Sequence, residues 1–258
     1  MAEIRIVLVE PSHPGNIGAV ARAMMNMSLR SLVLVRPRQF PHPEASARAS
    51  GAEAVLAGAR VVESVGEAVE GCGFIAATTS RERDQYFRVL DAREAAGRIV
   101  AESEHAPAAI LFGAERTGLT NDDLESSHAL VRIPADGEYA SLNLAMAVQI
   151  IAYELFLAQS ARTEERRAGT GIPRTTPLAT SQEMERLYAH LAEVMEEVGF
   201  RDRTQSGTHL MGRIRRFLQR AELDENEANI LRGLLTAVQQ RRRMAGQPPR
   251  DGDTSPDA

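Results

Sequence analysis

The sequence predicts an α/β protein with a mostly parallel sheet and helices on both faces, followed by a small all-helical extension. Three observations predict it. Short apolar runs alternate with helix-period stretches through roughly the first 155 residues. Beyond residue 180 only helix-period patterns remain. Residues 160–180 between them carry Gly, Pro, Thr and charge with little period, the texture of a linker.

In chain order, residues 4–9 are an apolar run with one Arg and read as a strand. Residues 11–18, Pro-Ser-His-Pro-Gly-Asn-Ile-Gly, read as a turn-rich loop, and 19–27 as a helix. Residues 32–35 predict a second strand and the Ala-rich stretch 44–57 a helix. A short strand at 61–62, a short helix at 64–69 and a strand at 74–79 follow. Asp91 reads as the cap of a helix over 91–101. Strands are expected at 108–112 and 129–133, with a short helix at 122–126 between them. Ser141 reads as the cap of a helix in which Leu144, Val148, Ile151 and Leu155 share a face. Three helices are expected in the extension, over 181–198, 208–219 and 224–243. The predicted units are therefore 1–159, a linker at 160–180, a helical domain at 181–243 and a polar, Pro-rich disordered tail at 244–258.

Composition narrows the function classes. The single cysteine, Cys72, excludes an internal disulfide and fits a reducing compartment. The six histidines are scattered, so no metal site is expected. The N-terminal apolar stretch is too short for a signal peptide, and no apolar run reads as a membrane span, so a cytoplasmic location is expected. Net charge is −5, and every basic residue is Arg. Arginine presents a planar fork of donors that suits phosphate. Arg81 and Arg83 follow the 74–79 strand, and Arg201, Arg203, Arg213, Arg215, Arg216 and Arg220 make the extension locally basic. The helical arginines are equally compatible with a solvated face.

In a parallel sheet, ligands bind beyond the carboxyl ends of the strands. Three such loops carry candidate chemistry. The first holds Gly15, Asn16 and Gly18, with Arg22 shortly after. It lacks the Gly-x-Gly-x-x-Gly pattern of a dinucleotide site. The second is Gly113-Ala-Glu-Arg-Thr-Gly118, a carboxylate flanked by glycines directly after a buried strand. Thr120 and Asp123 follow at capping-box spacing. The third runs from Ile133 to Ser141 and Asn143, where first-turn N–H groups can hold a polar ligand. Taken singly, each could be an ordinary turn, and Arg22 a surface ion pair.

Together, Asn16 with Arg22, then Gly113-x-Glu115-x-x-Gly118-Leu119, then Ser141-Leu142-Asn143-Leu144-Ala145, resemble the three ordered motifs of the SpoU/TrmH branch of the SPOUT methyltransferases. The likeness spans roughly residues 1–159, and Asn229-Ile-Leu-Arg-Gly-Leu-Leu235 is similar to the helical extension of a tRNA-modifying subgroup. The resemblance implies a trefoil-knotted backbone, a homodimer and S-adenosyl-L-methionine as cofactor. It implies 2′-O-methylation of tRNA at position 32 of the anticodon loop, with cytidine or uridine there. Arg22, Asn16, Glu115, Ser141 and Asn143 match its catalytic positions. Thr78, Thr79, Ser80, Gly113, Gly118, Ile133, Ala140, Ser141 and Leu142 match the cofactor site, and Arg81 and Arg83 are expected to grip RNA. The alternatives are an rRNA 2′-O-methyltransferase of the same branch, or an RNA-binding module without activity. DNA and membrane partners are not expected.

Overall fold

The computed structural model describes residues 3–80, 88–137, 141–168, 176–200 and 210–245. Its strands are β1 (Ile4–Val9), β2 (Ser31–Val35), β3 (Arg60–Val62), β4 (Phe74–Thr78), β5 (Arg88–Asp91), β6 (Ala108–Phe112) and β7 (Ala129–Arg132). They form one sheet in the order β3-β2-β1-β6-β4-β7-β5, and every neighbouring pair is parallel. The helices are α1 (Pro14–Asn26), α2 (Pro43–Ala49), α3 (Glu53–Ala57), α4 (Val65–Ala68), α5 (Ala92–Glu102), α6 (Leu144–Ala168), α7 (Ser181–Val198), α8 (Leu210–Ala221) and α9 (Glu225–Ala245).

Period-two alternation sorts the residues of β1 and β2 by size. Ile4, Ile6 and Leu8 of β1 and Leu32 and Leu34 of β2 meet α1, α2, α3, α5 and α6 in the larger core. Val7, Val9, Val33 and Val35 face the other way, under α4 and the segment holding Leu119 and Leu124. Both faces are covered, as an all-parallel sheet requires. Arg5 interrupts the apolar run because its guanidinium ties β1 to the end of α4, donating to Ala68 O at 3.2 Å and Glu70 O at 2.6 Å.

Several predicted boundaries move, each for a local reason. α1 begins at Pro14, within the stretch read as a loop. Pro is pre-set for the first helical position, and His13 Nδ1 caps the turn by accepting from Gly15 N. The 44–57 helix is two helices, broken where Ser50 and Gly51 take left-handed conformations. Residues 122–126 make successive i→i+3 turns and no helix. The Thr120–Asp123 pairing nevertheless forms, with Thr120 N donating to Asp123 Oδ2 at 2.7 Å. β5 was not expected. It is an edge strand with only Leu90 buried, so its pattern is weak. α6 starts at Leu144, capped by Asn143 and not by Ser141: the Asn143 carboxamide oxygen accepts from Ala145 N at 2.9 Å.

α6 also runs to Ala168, through the start of the predicted linker. Ser160 and Thr163 donate their hydroxyls back to Phe156 O and Gln159 O, so polar residues that suggest a loop sit within the helix. Its stretch Leu144–Thr163 has mean hydropathy 1.4, enough for a membrane span by length and composition alone, a test that the core helix of a soluble protein also passes. One side of it, Leu144, Val148, Ile151, Ala152 and Leu155, is core. On the other, Met146, Ile150, Tyr153, Phe156 and Leu157 are exposed.

The last three helices enclose a second small core around Met184, Leu187, Tyr188, Leu218 and Ala228. This unit docks at the amino ends of the strands. Ser181 bonds to Val69 O and Cys72 O ahead of β4, and Gln219 donates to Ser126 O ahead of β7. Glu222 pairs with Arg98 near the end of α5, where Arg98 also meets Glu102.

Beside that junction His128 is fully enclosed. It stacks on Phe74 with ring centroids 5.3 Å apart and accepts from Ile75 N at 3.1 Å. Burial, with the Arg98 charge adding to it, pushes its imidazole down to about 4. The unfolded chain, with an ordinary histidine near ~6.5, therefore binds this proton first. The associated stability is complete above pH ~6.5 and is lost as pH falls through about 4, a change on the order of 3 kcal/mol. Urea denaturation from pH 7 to 4 should show that loss. In His128→Asn, which keeps an acceptor for Ile75 N–H, the slope between pH 6 and 4 should flatten by about one proton.

Candidate functional site

The exits of β4, β6 and β7 converge at the carboxyl end of the sheet. After β6 the chain makes a closed loop, with Gly118 N donating to Ala114 O at 2.8 Å. Its two glycines serve different needs. Gly118 has φ +67, which L side chains rarely adopt, while a Cβ on Gly113 would stand 2.2 Å from the Gly118 carbonyl carbon. The loop can close only because both side chains are missing, and closing it turns Glu115 toward the start of α1.

Glu115 is the hub of the site. One carboxylate oxygen accepts from the Ser12 N–H at 3.0 Å and the Ser12 hydroxyl at 2.8 Å. The other accepts from Asn16 Nδ2 at 2.9 Å and His13 N at 3.4 Å. Burial pushes the carboxyl up, but these hydrogen bonds, led by Asn16 and the Ser12 N–H, outweigh it and hold the group below its usual range. Glu115 is thus an anion at neutral pH. Asn16 Oδ1 in turn accepts from Asn143 Nδ2 at 3.1 Å, and Asn143 caps α6. An unbroken chain of hydrogen bonds joins the β6 loop, α1 and α6.

Two concavities flank this chain. The first is a cavity of about 340 Å³. Thr78, Thr79, Ser80, Gly113, Gly118, Ile133, Ser141 and Leu142, all expected in the cofactor site, line it, as does Glu115. Thr78 Oγ1 is committed to Leu111 O at 3.0 Å, so that hydroxyl braces β4 against β6. The second is an open groove between α1 and α6, holding Arg22 with Ala19, Asn26, Met146 and Gln149. Leu142 borders both. Arg22 is exposed and has no hydrogen bond or ion pair among the described residues. Ala140, Arg81 and Arg83 lie outside the described residues.

Sequence reasoning overlooked Ser12 and His13, which hold Glu115. A signal for His13 was present: His-Pro precedes both α1 and α2, and in each the imidazole caps the helix. Phe112 and Val131, which wall the cavity, read from sequence only as strand residues, and Leu119 and Leu144 fall in the motifs without being assigned to the cofactor site.

Comparison with known proteins identifies the family. The chain belongs to the SpoU rRNA Methylase family, whose model matches residues 3–153. Residues 182–248 match the C-terminal domain of the tRNA methyltransferase TrmJ. A tRNA (cytidine/uridine-2′-O-)-methyltransferase TrmJ of Pectobacterium atrosepticum is 46% identical over 92% of this chain and 96% of its own length. The tRNA (cytidine/uridine/adenosine-2′-O-)-methyltransferase TrmJ of Pseudomonas aeruginosa is 44% identical over 92% and 93%. The crystal structure of TrmJ from Z. mobilis ZM4 superposes with a TM-score of 0.79, at 34% identity, covering 92% of this chain and all of that one. These likenesses put the chain in the TrmJ group of the family.

S-adenosyl-L-methionine, the cofactor implied by the motifs, fits the cavity in size and chemistry. The volume lies in the range of small-molecule sites. Phe112, Leu119, Val131, Ile133 and Leu142 offer apolar walls for an adenine ring. Glu115 supplies negative charge suited to a sulfonium or ammonium, and Arg116 a partner for a carboxylate. Gly113→Ala should abolish cofactor binding, because its Cβ cannot coexist with the closed loop. Titration calorimetry beside a melting curve checks this: intact affinity in a folded variant would disprove the loop's role.

Proposed function

We propose that this protein is an S-adenosyl-L-methionine-dependent tRNA 2′-O-methyltransferase that acts as a cytoplasmic homodimer on the ribose of nucleotide 32 in the anticodon loop. The observation that carries the chemistry is Leu142, which stands between the cofactor cavity and the Arg22 groove. A ribose in that groove would approach the cavity mouth with a guanidinium beside it. When bound, the cofactor supplies an electrophilic methyl group on sulfonium sulfur. Arg22 stays protonated and orients the 2′-oxygen or its neighbouring phosphate, stabilising charge that develops on oxygen. Glu115, Asn16 and Asn143 keep α1 and the start of α6 in register, so that groove and cavity stay aligned. Ser141, at the cavity edge, offers a further hydroxyl, and we infer for the backbone the trefoil knot of the SPOUT class.

The tRNA substrate, rather than rRNA, is favoured by the match of the helical extension to the TrmJ C-terminal domain. The two relatives above differ in whether adenosine is accepted, which suits a site that addresses the ribose more than the base. A solved structure concerned with "the 2-OH methylation of C/U34 on tRNA" shares 26% identity, has a TM-score of 0.50 and covers only 62% of this chain. The helical extension is the feature that favours nucleotide 32 over 34. Methylation of a tRNA transcript, mapped by nucleoside and fragment mass spectrometry, should give 2′-O-methylation at 32. Arg22→Ala should keep cofactor affinity and lose methyl transfer on the order of 10²-fold in single turnover, with Arg22→Lys restoring it only partly. A methyl group elsewhere would refute the position, and a near-normal rate would end the role of Arg22.

The dimer is supported by the outward side of α6, where Met146, Ile150, Tyr153 and Phe156 are exposed beside the Arg22 groove. A second copy seated there would border that groove. Sedimentation equilibrium at micromolar concentration should return twice the chain mass, and a monomer would refute the assignment.

A further inference from the structure

α8 carries a face that its own chain does not explain. Its inner side, Met211, Ile214 and Leu218, packs within the core shared with α7 and α9. At 100° per residue, Arg213, Arg216 and Arg220 fall on the opposite side, and Phe217 lies at the flank of that side beside Arg213. Phe217 is 60% exposed there. The helix has four arginines and no acidic residue, in a chain whose net charge is −5. Arg215 is accounted for: it pairs with Glu185 and lies over the Tyr188 ring at 4.5 Å. Arg213 and Arg220 have no hydrogen bond or ion pair among the described residues. They stand about one turn to either side of the Phe217 ring along the helix.

We propose that Arg213, Phe217 and Arg220 form a stacking site for an unpaired RNA base, with the ring taking the base and the two guanidinium groups taking the flanking phosphates. An exposed aromatic ring between unpaired cations is the arrangement by which proteins hold single-stranded nucleic acid. The other polyanion that a basic amphipathic helix can meet is a membrane surface. There the helix would need its apolar stripe free, and that stripe of α8 is committed to the core. The inference rests on the tRNA reading above and extends it to a second contact. α8 is anchored through Gln219 at Ser126, ahead of β7, whereas the cavity lies beyond the carboxyl ends of the strands. The base held there is therefore not the target nucleotide, and the site acts on affinity and leaves the chemical step alone.

The test uses the full chain with two fluorescein-labelled probes, a tRNA transcript and a short oligouridylate, read by anisotropy. Phe217→Leu keeps an apolar side chain without a ring face and should weaken both on the order of tenfold, while Phe217→Tyr should bind like the parent. Arg213→Ala and Arg220→Ala should each make the salt dependence shallower by about one unit. Methyl transfer at saturating tRNA should be unchanged in all four. Parent-like binding of both probes by Phe217→Leu overturns the proposal. So does unchanged RNA binding with lost affinity for phosphatidylglycerol vesicles. If the parent fails to methylate tRNA while Phe217→Leu still loses the oligouridylate, the tRNA reading falls and the stacking site stands.

Discussion

The carboxylate of Glu115 is the constraint on which the candidate site depends. Its oxygens collect donors from Ser12, His13 and Asn16, all in the connection from β1 into α1. The carboxylate itself leaves β6, the strand beside β1. Two neighbouring strand exits are thereby locked together at the place where strand order reverses, β1 having β2 on one side and β6 on the other. Through Asn16 and Asn143 the lock extends to the cap of α6. A neutral group there would leave several aimed donors without an acceptor, which is costly in a half-enclosed position.

The cavity and the helical unit sit at opposite ends of the strands. The cavity lies beyond the carboxyl ends of β4, β6 and β7, and the Arg22 groove lies across Leu142 from it, between α1 and α6. The helical unit is fastened at the amino ends, through Ser181, Gln219 and Glu222. Such a layout fits a large substrate touched at more than one point. It also explains why α6 has apolar residues on both sides: one side completes the core, and the other borders the groove.

Much of the fold was legible because local and tertiary preferences agree. Apolar runs such as Ala108–Phe112 are buried on both faces and read as strands from composition alone. Asp91 and Thr180 are side-chain caps with a Glu three residues on, and α5 and α7 begin there. Where reading failed, either a long-range pairing or a local hydrogen bond overruled the signal of composition. β5 exists because β7 offers it an edge, and its own residues scarcely alternate. α6 passes through Ser160 and Thr163 because their hydroxyls turn inward to carbonyls of the preceding turn.

By itself the sequence determined the α/β class, the separate helical extension, and the three strand-end motifs holding Asn16, Glu115 and Asn143. These follow from periodicity, turn chemistry and motif spacing, which are properties of short stretches. Only the tertiary structure decided that these residues are one hydrogen-bonded chain, that Ser12 and His13 belong to it, and that Leu142 separates two concavities. The physical reason is that a carboxylate's donors come from wherever the sheet order places them. Strand order β3-β2-β1-β6-β4-β7-β5 brings residue 115 beside residue 12, a proximity that no spacing along the chain encodes.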